Sequence, residues 1–81
     1  MMKIEIEKQR GTNKFIVHAN FIIPKQKGLI DQIESIQGIE GVDVALSKKY
    51  SFVVEIGRLF ATNEVTENIR EVMLTYMKEQ E

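Results

Sequence analysis

The chain has 81 residues, of which 43% are hydrophobic and 28% charged, and its formal net charge is -1. These values are typical of one globular domain and exclude a disordered or membrane-embedded chain. The absence of cysteine excludes disulfides, thiolate metal sites and thiol catalysis.

Charge and length set further expectations. The near-neutral net charge provides no long-range field to attract nucleic acid or an anionic membrane. The N-terminal residues lack an apolar signal region, and no run approaches the ~18 apolar residues of a membrane span. We therefore expect a cytoplasmic domain spanning residues 1–81 with no membrane partner, for which self-association would add burial.

The first predicted strand covers residues 3–8, where charged and apolar side chains alternate and Ile4 and Ile6 share one face. This period of two is typical of a half-buried strand. Residues 9–13 are polar and include Gly11, which can adopt a positive φ. They predict a tight hairpin into the second strand.

The second predicted strand covers residues 15–23, whose odd positions are all apolar. Pro24 ends it, because proline cannot donate to a strand ladder and its fixed φ suits a helix start. Helical spacing over residues 29–36 then predicts a helix of about three turns. Gly38 follows at the place of a left-handed C-cap.

Two more strands are predicted over residues 41–46 and 50–56, joined by a turn at residues 47–49. In the later strand the even positions are apolar, so Tyr50 and Phe52 are expected to face the core.

The final helix has the strongest helical pattern in the chain. Apolar residues recur at i, i+4, i+7, i+8 and i+11 from Val65 to Tyr76. Thr62 or Asn63 can cap its N-terminus, and residues 78–81 are expected to fray.

The predicted element order is therefore β-β-α-β-β-α. A right-handed crossover sets the third strand parallel to the second with a gap between them, into which the fourth strand folds antiparallel. The first strand takes the vacant edge. We predict an α+β fold, a ferredoxin-like two-layer sandwich with a four-stranded, antiparallel-rich sheet of order 1-2-4-3 and two helices on one face.

The other face of such a sheet is open. The candidate interface residues on it are Ile16, His18, Ile22, Ala45 and Val53. Charged residues of the edge strands flank them, and exposed apolar patches of this kind commonly mark association surfaces. An ordinary antiparallel sheet with scattered apolar residues is the equally available interpretation.

Nucleic-acid binding on this face is not expected. Domains that read single-stranded RNA on a four-stranded sheet stack bases on aromatic side chains. Here the aromatic residues of the strands fall on the predicted core face: Phe15, Phe21, Tyr50 and Phe52.

His18 is the only histidine, and it could serve acid-base chemistry or a pH-sensitive contact. Of the potential catalytic partners, only Glu55 on the adjacent inner strand could lie near it. We expect no enzymatic activity, no metal site and no cofactor.

A second candidate site follows from strand direction. The loop before the first helix and the turn between the last two strands share one end of the sheet, which gathers Lys25, Lys27, Gly28, Lys48 and Lys49. With the N-terminus of the first helix, these residues would favour a small anion. Lysines kept for solubility are the simpler interpretation. The last helix also brings Glu79 and Glu81 to this end, and no glycine-rich phosphate motif is present.

Ile33, Ile36 and Ile39 precede the Gly-Val-Asp-Val segment at residues 41–44, and a lysine turn and an alternating strand follow. This part of the chain resembles the heavy-metal-associated domains. The Cys-x-x-Cys loop of that family corresponds to residues 24–28, which contain no cysteine. The resemblance implies a ferredoxin-like fold and argues against metal transport.

The segment Lys27-Gly28-Leu29 also resembles the glycine loop of the small-molecule-sensing ACT domains, although the acidic residue of that loop is absent. This resemblance implies binding of an amino acid or a similar effector at a dimer interface.

The leading functional hypothesis is a non-catalytic protein-interaction or assembly module that self-associates or binds another protein. It would use the open sheet face or, as a second choice, an unpaired edge strand. The alternative is a regulatory, ACT-like domain that binds a small anion or metabolite at the lysine-rich end.

Overall fold

The computed structural model describes residues 1–24 and 26–79, with residues 44–47 described by their backbone alone. The elements follow the predicted order β-β-α-β-β-α. They are β1 (Ile4–Lys8), β2 (Lys14–Ala19), α1 (Lys27–Glu34), β3 (Ile39–Lys48), β4 (Ser51–Ile56) and α2 (Thr62–Glu79).

The four strands form one sheet in the predicted order β1-β2-β4-β3, and every neighbouring pair is antiparallel. The crossover through α1 therefore makes β2 and β3 run in the same direction, with β4 filling the gap between them. The α+β, ferredoxin-like arrangement predicted from the sequence is confirmed.

One layer of apolar side chains joins the sheet to the helices. In the central strands, Val17, Phe52 and Val54 face this layer and are at most 1% exposed. The helices contribute the buried residues Leu29, Ile30, Ile33, Val65, Ile69, Met73 and Tyr76. Because strands and both helices share this core, both helices cover the same face of the sheet.

β2 ends at Ala19 rather than at the predicted Ile23. The side chain of Asn20 turns to the N-terminal segment, where its Oδ1 accepts from the Lys3 N–H (2.8 Å) and its Nδ2 donates to the Met1 carbonyl (2.9 Å). Asparagine side chains compete with strand ladders in this way. The apolar pattern continues beyond the strand, since Ile23 is still buried.

The prediction that Tyr50 faces the core is wrong. Lys48 pairs with Ser51, so Lys49 and Tyr50 form the turn, and 51% of the surface of Tyr50 is exposed. The apolar alternation in the sequence begins at Tyr50, one residue before β4 starts. At that position the turn geometry, and not hydrophobicity, sets the direction of the side chain.

β3 begins earlier than the predicted strand at residues 41–46. Ile39 pairs with Ile56, and one extra residue is inserted before Gly41 pairs with Glu55. Such a bulge on an edge strand disfavours the addition of a further strand. This edge is therefore a poorer docking surface than the open face.

α1 has eight residues, which is about two turns instead of the predicted three. The backbone N–H and the Oγ of Ser35 both donate to the Asp31 carbonyl, at 3.0 and 2.8 Å, where the helix ends. Gly38 has a φ of +102°. The positive φ matches the prediction, but the residue lies in the turn before β3 and not at the C-cap.

α2 begins at Thr62, so Ala61 precedes the first helical residue and takes the place predicted for Thr62 or Asn63. The helix runs to Glu79, through half of the segment that was expected to fray. Residues 80–81 lie outside the described residues.

Tyr76 connects the two helices, because its hydroxyl donates to Oε1 of Gln26, the residue just before α1. The substitution Tyr76→Phe keeps the buried ring and removes this hydrogen bond. We expect it to lower the free energy of unfolding by about 0.5–1.5 kcal/mol, measured by urea denaturation. Gln26→Ala should add little in the Tyr76→Phe background, and full additivity of the two losses would contradict the coupling.

Candidate functional site

The face of the sheet opposite the helices, called the outer face, is formed by alternate residues of the four strands. Its described residues are Glu5, Glu7, Lys14, Ile16, His18, Gly41, Asp43, Lys48, Ser51, Val53 and Glu55. The strand register arranges them in rows across the sheet.

The central row of the outer face contains its apolar pair. Ile16 of β2 lies opposite Val53 of β4, and both are half-buried. On the outer strands the same row continues with Glu7 beside Ile16 and Asp43 beside Val53. A small apolar centre with a charged rim is the usual anatomy of an association surface.

The flanking rows are polar. His18 lies between Glu5 and Ser51, and Lys14 lies opposite Glu55. Among the described residues of the outer face, four carboxylates outnumber the two lysines, Lys14 and Lys48, so this face is acidic.

A shallow depression of about 360 Å³ lies on the outer face beside the bulge of β3. Lys14, Asp43, Val53 and Glu55 are among the residues that line it. The sheet face is therefore not flat next to Val53.

The structure brings together part of the predicted interface. Ile16 and Val53 are neighbours, and His18 is in the next row of β2. Ile22 is 57% exposed but lies beyond the end of β2, so it does not belong to the outer face. The side chain of Ala45 lies outside the described residues.

Glu55, which the sequence pattern allowed to lie near His18, does not lie beside it. The register sets His18 opposite Ser51, whereas Glu55 is opposite Lys14. The carboxylate across from His18 belongs to Glu5 on β1.

Within residues 1–24 and 26–79, no three His, Cys, Asp or Glu side chains are grouped so that they could hold a metal ion. Among the same residues, no helix is long and apolar enough to cross a membrane.

The predicted lysine end is exposed. Lys27 begins α1, Lys48 ends β3 and Lys49 is in the turn. The Ile23 N–H donates to the Lys49 carbonyl at 2.8 Å, which holds the turn beside the segment before α1. Lys25 lies outside the described residues.

Gly28 lies inside α1 and not in a loop. A Cβ built on it would be 3.7 Å from Cε2 of Tyr76, an ordinary van der Waals contact. Gly28 therefore lies close to α2, and its place in the fold gives no reason to assign it to a ligand.

At the opposite end of the sheet lies a cleft of about 380 Å³, called the end cleft. It is lined by Lys8, Gly11, Thr12, Asn13, Phe15, Ile56, Gly57, Arg58, Phe60 and Thr62. Sequence reasoning did not find it. The signal available in the sequence is the connection after β4. It contains a cation, Arg58, and two apolar residues, Leu59 and Phe60, which fit no helix or strand pattern.

Comparison with protein-family models, curated proteins and solved structures gives no match for this chain.

Proposed function

We propose that this chain is a non-catalytic assembly module that forms a two-fold homodimer through its outer face. The observation that supports the proposal is the Ile16–Val53 pair at the centre of a sheet face that neither helix covers. Burial of these side chains against a second copy removes apolar surface from water, the main driving force for association. A domain of this size has a small core, and a dimer adds to its buried surface.

The charges of the outer face favour one orientation of the two copies. A two-fold axis parallel to the strands, between β2 and β4, sets Ile16 over the partner's Val53 and Lys14 over the partner's Glu55. An axis perpendicular to the strands would set Lys14 over the partner's His18. Two sheets packed face to face are usually rotated by about 30° relative to each other. The pairs on the two central strands lie close to the rotation axis, so this rotation displaces them less than it displaces the residues of the edge strands. Since complementary charges select orientation, we infer the parallel axis.

The same axis brings Glu7 toward the partner's Asp43 at the rim. Solvent and salt screen like-charge contacts there. The apolar centre, which salt does not weaken, therefore decides whether the dimer forms.

Val53→Glu places a carboxylate in the apolar centre and is expected to convert the dimer into a monomer, measured by analytical ultracentrifugation over a concentration series. The matched control is Leu74→Glu. Leu74 is 37% exposed on α2, away from the outer face, so this variant should stay dimeric. A wild-type chain that is monomeric at all concentrations, or a dimeric Val53→Glu variant, would contradict the proposal.

A charge exchange tests the orientation separately. Lys14→Glu and Glu55→Lys should each weaken the dimer, and the double variant should restore it. Lys14 and Glu55 also face each other across neighbouring strands of one chain, so thermal denaturation of each variant measures the loss of that contact separately from the loss of the dimer. If neither single substitution changes the dimer while Val53→Glu disrupts it, the homodimer stands and the parallel axis is wrong.

The alternative function, regulatory binding of a small anion or metabolite at the lysine end, is supported by the exposed lysines on neighbouring segments. Lys27 and Lys49 lie on segments that the Ile23–Lys49 backbone hydrogen bond holds together. Gly28 does not support it, because this glycine is part of α1 beside Tyr76. The homodimer is therefore preferred.

A further inference from the structure

We propose that the end cleft binds a small anionic ligand with an aromatic or branched apolar group, such as an aryl phosphate or aryl carboxylate. This site goes beyond the proposed function, because the outer-face pair Ile16 and Val53 does not line it. It lies where the β1–β2 hairpin meets the β4–α2 connection. Its volume of about 380 Å³ is within the range of small-molecule sites, about 300–1,000 Å³.

Two cations on the rim of the end cleft favour a negative charge. Lys8 and Arg58 are exposed, and in the part of the chain that the structure describes neither side chain has an ion pair or a hydrogen bond. A guanidinium group can bind a phosphate or carboxylate through two parallel N–H donors. None of the described residues that line the cleft carries a carboxylate. The nearby carboxylate of Glu40 accepts a hydrogen bond from Asn13 Nδ2 at 3.2 Å.

Phe60 forms an apolar wall of the end cleft. It is 41% exposed, yet its ring lies directly on two glycines. A Cβ built on Gly57 would come within 3.1 Å of Phe60 Cδ2, and one on Gly38 within 3.1 Å of Phe60 Cγ. The ring is thus held against the backbone before any ligand binds, and its exposed surface is available to stack on an aromatic ligand.

The rest of the end cleft is mostly polar, with two buried apolar side chains at its floor. Phe15 is 5% exposed and Ile56 is 2% exposed, and both line the cleft. The exposed Phe60 ring next to unpaired cations fits a ligand that has both a charge and a ring better than a bare inorganic ion.

The lysine end lacks this combination. The described residues that line the end cleft and the depression on the outer face do not include Lys27, Lys48 or Lys49. A charged ligand there would gain only screened contacts with exposed ammonium groups. The structure therefore assigns the ligand to the opposite end of the sheet.

The test is an NMR titration of the ¹⁵N-labelled full chain with phenyl phosphate. We expect saturable shifts of the amides of Gly11, Gly57 and Phe60, with a Kd of about 1 mM. Arg58→Gln should weaken binding by about tenfold and Lys8→Gln by somewhat less. Both residues are exposed, so a dispersed spectrum should show that each variant folds.

The matched control is the Lys48→Gln, Lys49→Gln double variant, which removes two charges at the opposite end and should bind phenyl phosphate as the wild type does. Benzyl alcohol, which keeps the ring without the charge, and inorganic phosphate, which keeps the charge without the ring, should each bind at least about tenfold more weakly. The proposal is overturned if no saturable shifts occur, if Arg58→Gln binds like the wild type, or if the shifts centre on the lysine end. Sedimentation of the same variants reports the dimer independently, so the two proposals can fail separately.

Discussion

Truncation of Phe52 to alanine is expected to lower the free energy of unfolding by about 3–5 kcal/mol. Phe52 is 1% exposed and is the largest of the fully buried side chains in the part of the chain described. Its ring lies in the central strand β4, next to Val17 across the sheet. The truncation loses apolar burial and leaves a cavity that the surrounding core fills only in part.

The total stability of an 81-residue domain is about 4–12 kcal/mol, so Phe52→Ala should leave a large unfolded fraction at room temperature. Urea denaturation followed by circular dichroism measures the loss. The control is Tyr50→Ala, because the sequence places both aromatic residues on the core face while the structure leaves Tyr50 51% exposed in a turn. We expect a change within about 0.5 kcal/mol for this control. Equal losses for the two variants would show that Tyr50 is buried and the turn misplaced.

Gly38→Ala is expected to destabilise the fold by about 2–5 kcal/mol. At a φ of +102° a residue with a Cβ has a strained backbone, which costs about 1–3 kcal/mol. The added Cβ would also lie 2.8 Å from Cγ2 of Val65 and 3.1 Å from Cγ of Phe60. The first contact is too short and the second is tight, so the buried Val65 side chain and the Phe60 ring have to shift.

Alanine variants of two other glycines separate the backbone contribution to this loss of stability from the steric contribution. Gly41→Ala adds a Cβ with nothing within 4 Å and no positive φ, so it should change stability by less than about 0.5 kcal/mol. Gly11→Ala has a φ of +75° and equally open space, so it should lose only the backbone part, about 1–2 kcal/mol. Thermal denaturation of the three variants gives the order. If Gly38→Ala lowers the stability no more than Gly11→Ala does, the short contacts at Gly38 make no contribution, which would contradict the prediction.

Much of the fold follows from short-range patterns in the sequence. The alternation in β1 and β4 and the helical spacing from Val65 to Tyr76 are set by the backbone geometry of strands and helices, which is local. Chain connectivity and crossover handedness then leave few topologies. The strand order and the shared face of the helices could therefore be predicted.

The errors lie where a local hydrogen bond or a turn overrides the apolar pattern. Asn20 ends β2 with its side chain, and the turn at Lys49 exposes Tyr50 although the alternation continues. α1 ends early at Ser35, whose hydroxyl binds the Asp31 carbonyl. Side-chain and turn hydrogen bonds of this kind depend on atomic geometry that residue periodicity does not contain.

Of the two candidate sites, the outer face could be predicted in part from the sequence and the end cleft could not. Ile16 and Val53 could be placed on one open face from alternation alone, because period two assigns a face to every strand residue. The sequence could not show that they are direct neighbours, since register is set by pairing across the sheet. The end cleft could not be predicted, because it combines Lys8 and Arg58 from segments that are far apart in the chain.

The sequence by itself determined the kinds of elements, their order and the side of the sheet that stays open, since these depend on local periodicity and connectivity. Only the tertiary structure decided which residues meet: Val53 beside Ile16, Phe60 against Gly38 and Gly57, and two cations at one cleft. The physical reason is that register, bulges and turn conformations are resolved by packing and hydrogen bonding between distant segments. Binding surfaces are made of such contacts.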